Sequence, residues 1–159
     1  MRAVIFLVIL IGSLWAEGEF TEKRYIYALD KTTVFKGSIT ITKGATIVRY
    51  TSPEKKTLIQ SGKTLTVEDA DTNTSQVIDL SKQIDMSLYF SFMRSIYNQD
   101  FSGLETYFEV TREGETYHLL PKSEAKRAIK KMDITMRNGE MHRMTIYFTN
   151  QDVIEIETL

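Results

Sequence analysis

Two imidazoles, twenty-one carboxylates and no thiol are what this 159-residue chain offers for chemistry. Nucleophilic catalysis needs a nucleophile, a base and an orienting acid, and a zinc site needs three or four ligands at hairpin or helical spacing. His118 and His142 each stand alone in a strand-like string and enter neither pattern. Glu105, Glu109, Glu113 and Glu115 form an acidic stretch around a Glu113-Gly114 turn, where carboxylates are ordinarily just solvated. Lys126-Arg127 and Lys130-Lys131 make a basic cluster at the start of a strand. It suits an anionic membrane surface or an acidic partner, and equally a strand edge kept from aggregating by charge. The whole chain carries 20 basic and 21 acidic residues, so nothing electrostatic favours nucleic acid. No enzyme activity, no metal and no cofactor is expected from this inventory. The chemistry that remains is the burial of apolar surface.

The chain opens with an export address. Arg2 is the positive start, residues 3–14 are nearly all apolar, and Ala16 is small enough to precede a cut. Residues 1–16 therefore read as a secretory signal peptide. A run of about 13 apolar residues gives a helix of roughly 20 Å, too short for a hydrocarbon core of ~30 Å. Residues 17–159 are expected to form one domain, with 19 basic residues against 21 acidic ones once Arg2 is removed. Without cysteine, neither disulfides nor lipidation of this chain can be invoked.

From Phe20 the sequence breaks into short β-branched, aromatic and alternating segments at about ten-residue spacing, the pattern of an antiparallel meander. Strands are predicted at 23–29, 36–42, 46–51, 56–60, 64–68 and 75–80, then at 104–110, 115–120, 130–137, 141–148 and 152–158. In the string 37–44, Ile39 and Ile41 alternate with Ser38, Thr40 and Thr42, giving one apolar and one wet face. Ser61-Gly62, Glu113-Gly114 and Asn138-Gly139 mark hairpins, the last most strongly because both residues tolerate positive φ. Residues 81–98 follow a helical period instead. Met86, Phe90, Met93 and Tyr97 form one row and Leu88, Phe92 and Ile96 a second, so the helix is apolar over most of its circumference. Such a helix either plugs a curved sheet as core or covers an apolar cavity as a lid.

Several strings, in order, resemble the outer-membrane lipoprotein carrier family, LolA. Phe20-Thr-Glu-Lys23 stands where the family has a Phe-x-Gln start to its first strand, and Gly37-Ser-Ile-Thr-Ile-Thr-Lys43 where it has a Gly-led hydrophobic strand ending in a base. Leu58-Ile-Gln-Ser-Gly-Lys-Thr-Leu65 is similar to its Gly-Lys hairpin, Gln76-Val77 to the step that follows, and Tyr117-His-Leu-Leu-Pro-Lys122 to its Leu-x-Pro-Lys string. The resemblance covers 20–159. It implies a mainly β fold, an incomplete curved antiparallel barrel of about 11 strands with a helical lid or plug, in a periplasmic monomer. It further implies lipoprotein acyl chains, or other lipid, as ligand, with an inner-membrane release complex and an outer-membrane acceptor as partners. The cavity wall would then be Ile39, Ile41, Leu58, Leu65 and Val67 of the sheet with Phe90, Met93 and Tyr97 of the helix. Six methionines, 86, 93, 132, 136, 141 and 144, suit a deformable wall or ordinary core filling. Lys43-Gly44 stands where the carriers usually have an Arg-Pro pair linked to lid closure and release, and Arg49 is a nearby substitute. The family's first amphipathic helix precedes its Phe-x-Gln strand, and only residues 17–19 separate the expected cut from Phe20. A carrier, an envelope interaction protein that keeps the fold without lipid, and, last, an enzyme are the function classes left.

Overall fold

The computed structural model describes residues 16–98 and 103–159, without the side chains of Ala16 and Ile96. The expected signal segment, apart from the backbone of Ala16, and the Ile96 member of the helical row lie outside the described residues. Among the described residues eleven strands form one antiparallel sheet: β1 (Ala16–Ile26), β2 (Lys31–Ile41), β3 (Thr46–Ser52), β4 (Lys56–Ser61), β5 (Thr64–Asp69) and β6 (Thr74–Asp79), then β7 (Phe108–Glu113), β8 (Thr116–Pro121), β9 (Ile129–Arg137), β10 (Glu140–Phe148) and β11 (Val153–Thr158). The spatial order β6-β5-β4-β3-β2-β1-β11-β10-β9-β8-β7 is two meanders joined where the first strand pairs the last. β6 and β7 do not pair, so the sheet is not closed. The single α-helix among the described residues, α1 (Ile84–Tyr97), lies in the crossover between those two edges.

Alternation decides which face is inner. Phe20 and Glu22 of β1, Ile39 and Ile41 of β2, Val48 and Tyr50 of β3, Leu65 of β5, Leu119 of β8, Met132 and Ile134 of β9, Met144 and Ile146 of β10 and Ile156 of β11 are all buried. Their cross-strand partners fall on the same side. α1 packs on this face with Leu88, Phe90, Phe92 and Met93 buried, and Phe92 meets Phe108 edge-to-face at 5.0 Å. Gly37 is required where the sheet is tightest. A Cβ there would sit 2.4 Å from the Arg49 carbonyl oxygen and 3.0 Å from Phe20 Cζ, and the β2–β3 ladder shifts register at this point. The Asn138-Gly139 hairpin has both residues at positive φ, 53° and 79°, as its sequence demands.

Three elements differ most from their predicted extent, and one is β2, which begins at Lys31 rather than at 36 because Lys31 to Phe35 pair with Ile26 to Glu22 of β1. β1 runs Ala16–Ile26 rather than 23–29, because residues 16–22 pair with Phe35 to Ile41 on one side while Phe20 to Glu22 also pair with β11, and Tyr27–Leu29 turns as a 3₁₀ helix. Those two neighbours override a Glu-Gly-Glu string with little strand preference of its own. The strand expected over 104–110 starts only at Phe108, since Leu104–Thr106 makes a 3₁₀ turn that buries Leu104.

Candidate functional site

Between the inner face and the N-terminal half of α1 lies a cavity of about 410 Å³. Its wall is one inward position from each of several strands: Phe35 of β2, Tyr50 of β3, Leu58 of β4, Val67 of β5, Phe148 of β10 and Ile154 of β11. Register explains the set, because Leu58 pairs Val67 and Arg24 pairs Ile154, which places partners side by side. Met86, Tyr89 and Phe90 of α1 form the roof, and the exposed Glu54 and Asp85 with the half-buried Lys56 mark the open rim. Lys56 Nζ lies 2.5 Å from Glu54 Oε2 and 3.8 Å from Asp69 Oδ2.

A polar cluster interrupts the apolar wall. Glu22, 0% exposed, accepts from Arg24 Nε on Oε1, and on Oε2 from the Tyr50 hydroxyl at 2.9 Å and the Tyr89 hydroxyl at 3.5 Å. Arg24 also donates from Nη2 to Tyr50 Oη at 2.9 Å, and its guanidinium lies 4.3 Å from the Phe35 ring centroid. Burial works against the Arg24 charge, but the Glu22 carboxylate and then Tyr50 outweigh it and hold the guanidinium well above its ordinary pKa. Burial, followed by the Glu22 charge, pushes the Tyr50 phenol up, with Arg24 opposing. The Tyr89 phenol is pushed up by burial first and by Tyr50 and Glu22 next. Both phenols therefore stay protonated, as donors to the carboxylate must.

Of the eight residues expected along the cavity, Leu58, Val67 and Phe90 line it. Ile39, Ile41, Leu65 and Met93 are fully buried core, and Tyr97 is half-buried against that core. Met86 also lines the cavity, whereas Met93, Met132, Met141 and Met144 are buried core. Sequence reasoning missed Glu22, Arg24, Tyr50 and Tyr89. The signal was present at Glu22, an acid standing between Phe20 and Arg24 on the inward side of a strand, at the position of the family's Gln. The two residues expected at a lid contact sit differently. The Arg49 side chain is exposed on the outer face, opposite in parity to the inward Val48 and Tyr50. At Lys43 it is the backbone that engages α1: Arg94 Nη2 donates to the carbonyl oxygens of Thr42 and Lys43, each at 2.8 Å. The helix thus reaches the sheet with its own arginine.

Neither histidine approaches the cavity. His118 Nδ1 is 2.7 Å from Asp133 Oδ1 on the outer face, and His142 Nε2 is 3.7 Å from Glu157 Oε1.

A half-open antiparallel sheet roofed by an apolar helix encloses a mostly apolar cavity. The sequence profile described as "Outer membrane lipoprotein carrier protein LolA" matches residues 15–157, and the chain belongs to that family. Among solved structures it is similar to a DUF1329 family protein from Desulfovibrio piger, with 12% identity, a TM-score of 0.46, and 94% of this chain and 85% of that one covered. It is also similar to a putative outer membrane lipoprotein-sorting protein domain from Vibrio parahaemolyticus, with 6% identity, a TM-score of 0.44, and 91% and 83% covered. No curated protein matches the chain.

Proposed function

We propose that this chain is a periplasmic, non-enzymatic carrier that takes acyl chains of lipoproteins, or of other lipids, into the cavity beneath α1 for transfer towards the outer membrane. The observation that carries the reading is the cavity itself: about 410 Å³ between the inner face of the sheet and an apolar helix. Acyl chains bind by area, at ~0.8 kcal/mol per buried methylene, so a broad apolar wall is the form such a site takes. Met86 at the roof lets that wall adapt to chains of different shape. α1 acts as the lid, and the Arg94 bonds to the Thr42 and Lys43 carbonyls hold it down in the unloaded state. Release to an outer-membrane acceptor, and loading from an inner-membrane complex, would both swing the N-terminal turns of α1 while that contact keeps the C-terminal turns seated.

The second reading, an envelope interaction protein without lipid, draws on the depth at which Leu88, Phe92 and Met93 of α1 are packed. Native mass spectrometry of the protein purified from a bacterial periplasm, with organic extraction of bound material, separates the two. Carrier function gives an adduct that releases an acylated molecule. A bare protein that also fails to bind an added fluorescent acyl ester contradicts it.

A further inference from the structure

Resting on that acyl-binding reading, we propose that the cavity selects neutral, carbonyl-bearing acyl chains, such as esters and amides, over free carboxylates, and that Glu22 sets the preference. A site for hydrocarbon alone has no use for an inward arginine. Arg24 spends Nε on Glu22 and one Nη2 hydrogen on Tyr50. Of five guanidinium N–H groups, three then have no partner among the described residues. The side chain lines the cavity, its plane steadied on the Phe35 ring, and is 38% exposed. It therefore offers fixed donors to an acceptor at the head of a chain lying against Leu58 and Val67.

The charge of that arginine is already matched. Glu22, wholly buried, sits against the same guanidinium, and an incoming carboxylate on the opposite edge would meet the repulsion of Glu22 along with the attraction of Arg24. The rim adds to this. Lys56 is answered by Glu54 at 2.5 Å, while Asp85 has no cationic partner among the described residues, so the ionisable side chains lining the cavity sum to one net negative charge. A neutral ester or amide carbonyl gains the hydrogen bond without that repulsion; a fatty-acid anion must also give up its hydration in a site of its own sign.

The experiment is competition against a fluorescent acyl ester bound to the full chain, with 1-monopalmitoylglycerol and palmitate as rivals of equal chain length, below their aggregation concentrations at pH 8. The ester is expected to compete about tenfold better than the acid. Glu22→Gln, which leaves Arg24 charged and unmatched, narrows or inverts the ratio, and Asp85→Asn, an exposed change outside the buried cluster, narrows it less. Reading the ratio of two ligands on one preparation removes differences in folded fraction. Equal or tighter binding of palmitate by the unaltered protein overturns the inference while leaving the acyl-binding reading in place. Failure of the acyl ester to bind at all overturns both.

Discussion

Replacing Arg94 by methionine keeps the length and apolar stem of the side chain and removes only its two bonds to the Thr42 and Lys43 carbonyls. A buried hydrogen bond to a charged group contributes about 1.5–3 kcal/mol. Here both leave from one nitrogen, and the bond to Lys43 is exposed. The pair is therefore worth about 1–2 kcal/mol, a factor of ~5–30 in an equilibrium. The four buried side chains of α1, Leu88, Phe90, Phe92 and Met93, contribute several times as much at ~1.5–3 kcal/mol each. The variant should accordingly fold, with α1 in place, and differ in how often the helix lifts. In native-state hydrogen exchange the amides of α1 should exchange ~5–30-fold faster while those of β9 and β10 keep their rates. Unchanged α1 protection would refute the idea that Arg94 holds the helix down. An equal loss in β9 and β10 would show instead that the contact stabilises the whole fold.

Three further outcomes follow from the packing. Tyr97 has a buried hydroxyl without a hydrogen-bond partner among the described residues, and burial pushes its pKa from 10.0 up to about 12. The unfolded chain releases that proton near pH 10 while the folded one holds it, so stability is full below pH 10 and drains as pH rises towards 12. Urea midpoints of Tyr97→Phe should match or exceed those of the parent at pH 7 and fall less steeply above pH 10. Gly37→Ala forces a methyl group against the Arg49 carbonyl and should cost about 1–3 kcal/mol by chemical denaturation. Phe92→Ala empties a site that is 1% exposed and loses the edge-to-face contact with Phe108, for about 3–5 kcal/mol by the same measurement.

The sheet could be read in advance because alternation and turn chemistry are local. Ile39 and Ile41 declare an inward face by themselves, and Asn138-Gly139 declares a hairpin without reference to anything distant. The start of β1 could not be read, because residues 16–22 become strand only through pairing with β2, and from Phe20 also with β11, which returns from the far end of the chain. The cavity was legible as a class of surface and not as a list. Ile39, Leu58 and Leu65 share the inward parity, but only the position of α1 decides that Leu58 faces open space while the other two are covered. The helix contact was hidden for a different reason. A sequence displays side chains, and the groups that Arg94 uses are backbone carbonyls, which any residues at 42 and 43 would supply.

The alternatives for α1, core plug or lid, turn out to divide along its length. Its first half carries Met86, Tyr89 and Phe90 over the cavity, while Phe92 and Met93 further along pack into closed core. Met86 and Tyr89 are only half-buried, so lifting the first half would uncover chiefly Leu88 and Phe90, 5% and 2% exposed. Lifting the second half would uncover Phe92 and Met93, at ~1.5–3 kcal/mol each, and break the Arg94 bonds as well. The less costly motion is a hinge in which the N-terminal turns swing and the C-terminal turns stay seated. The Tyr89 bond to Glu22, at 3.5 Å the longest in the polar cluster, is the first contact such a swing would break. An acyl chain entering from the rim beside Asp85 would replace the apolar contacts that the swing removes, so loading offsets the cost of opening. On the proposed carrier reading, that coupling would let one helix be core and lid together, with binding at the half of α1 where the sheet leaves room.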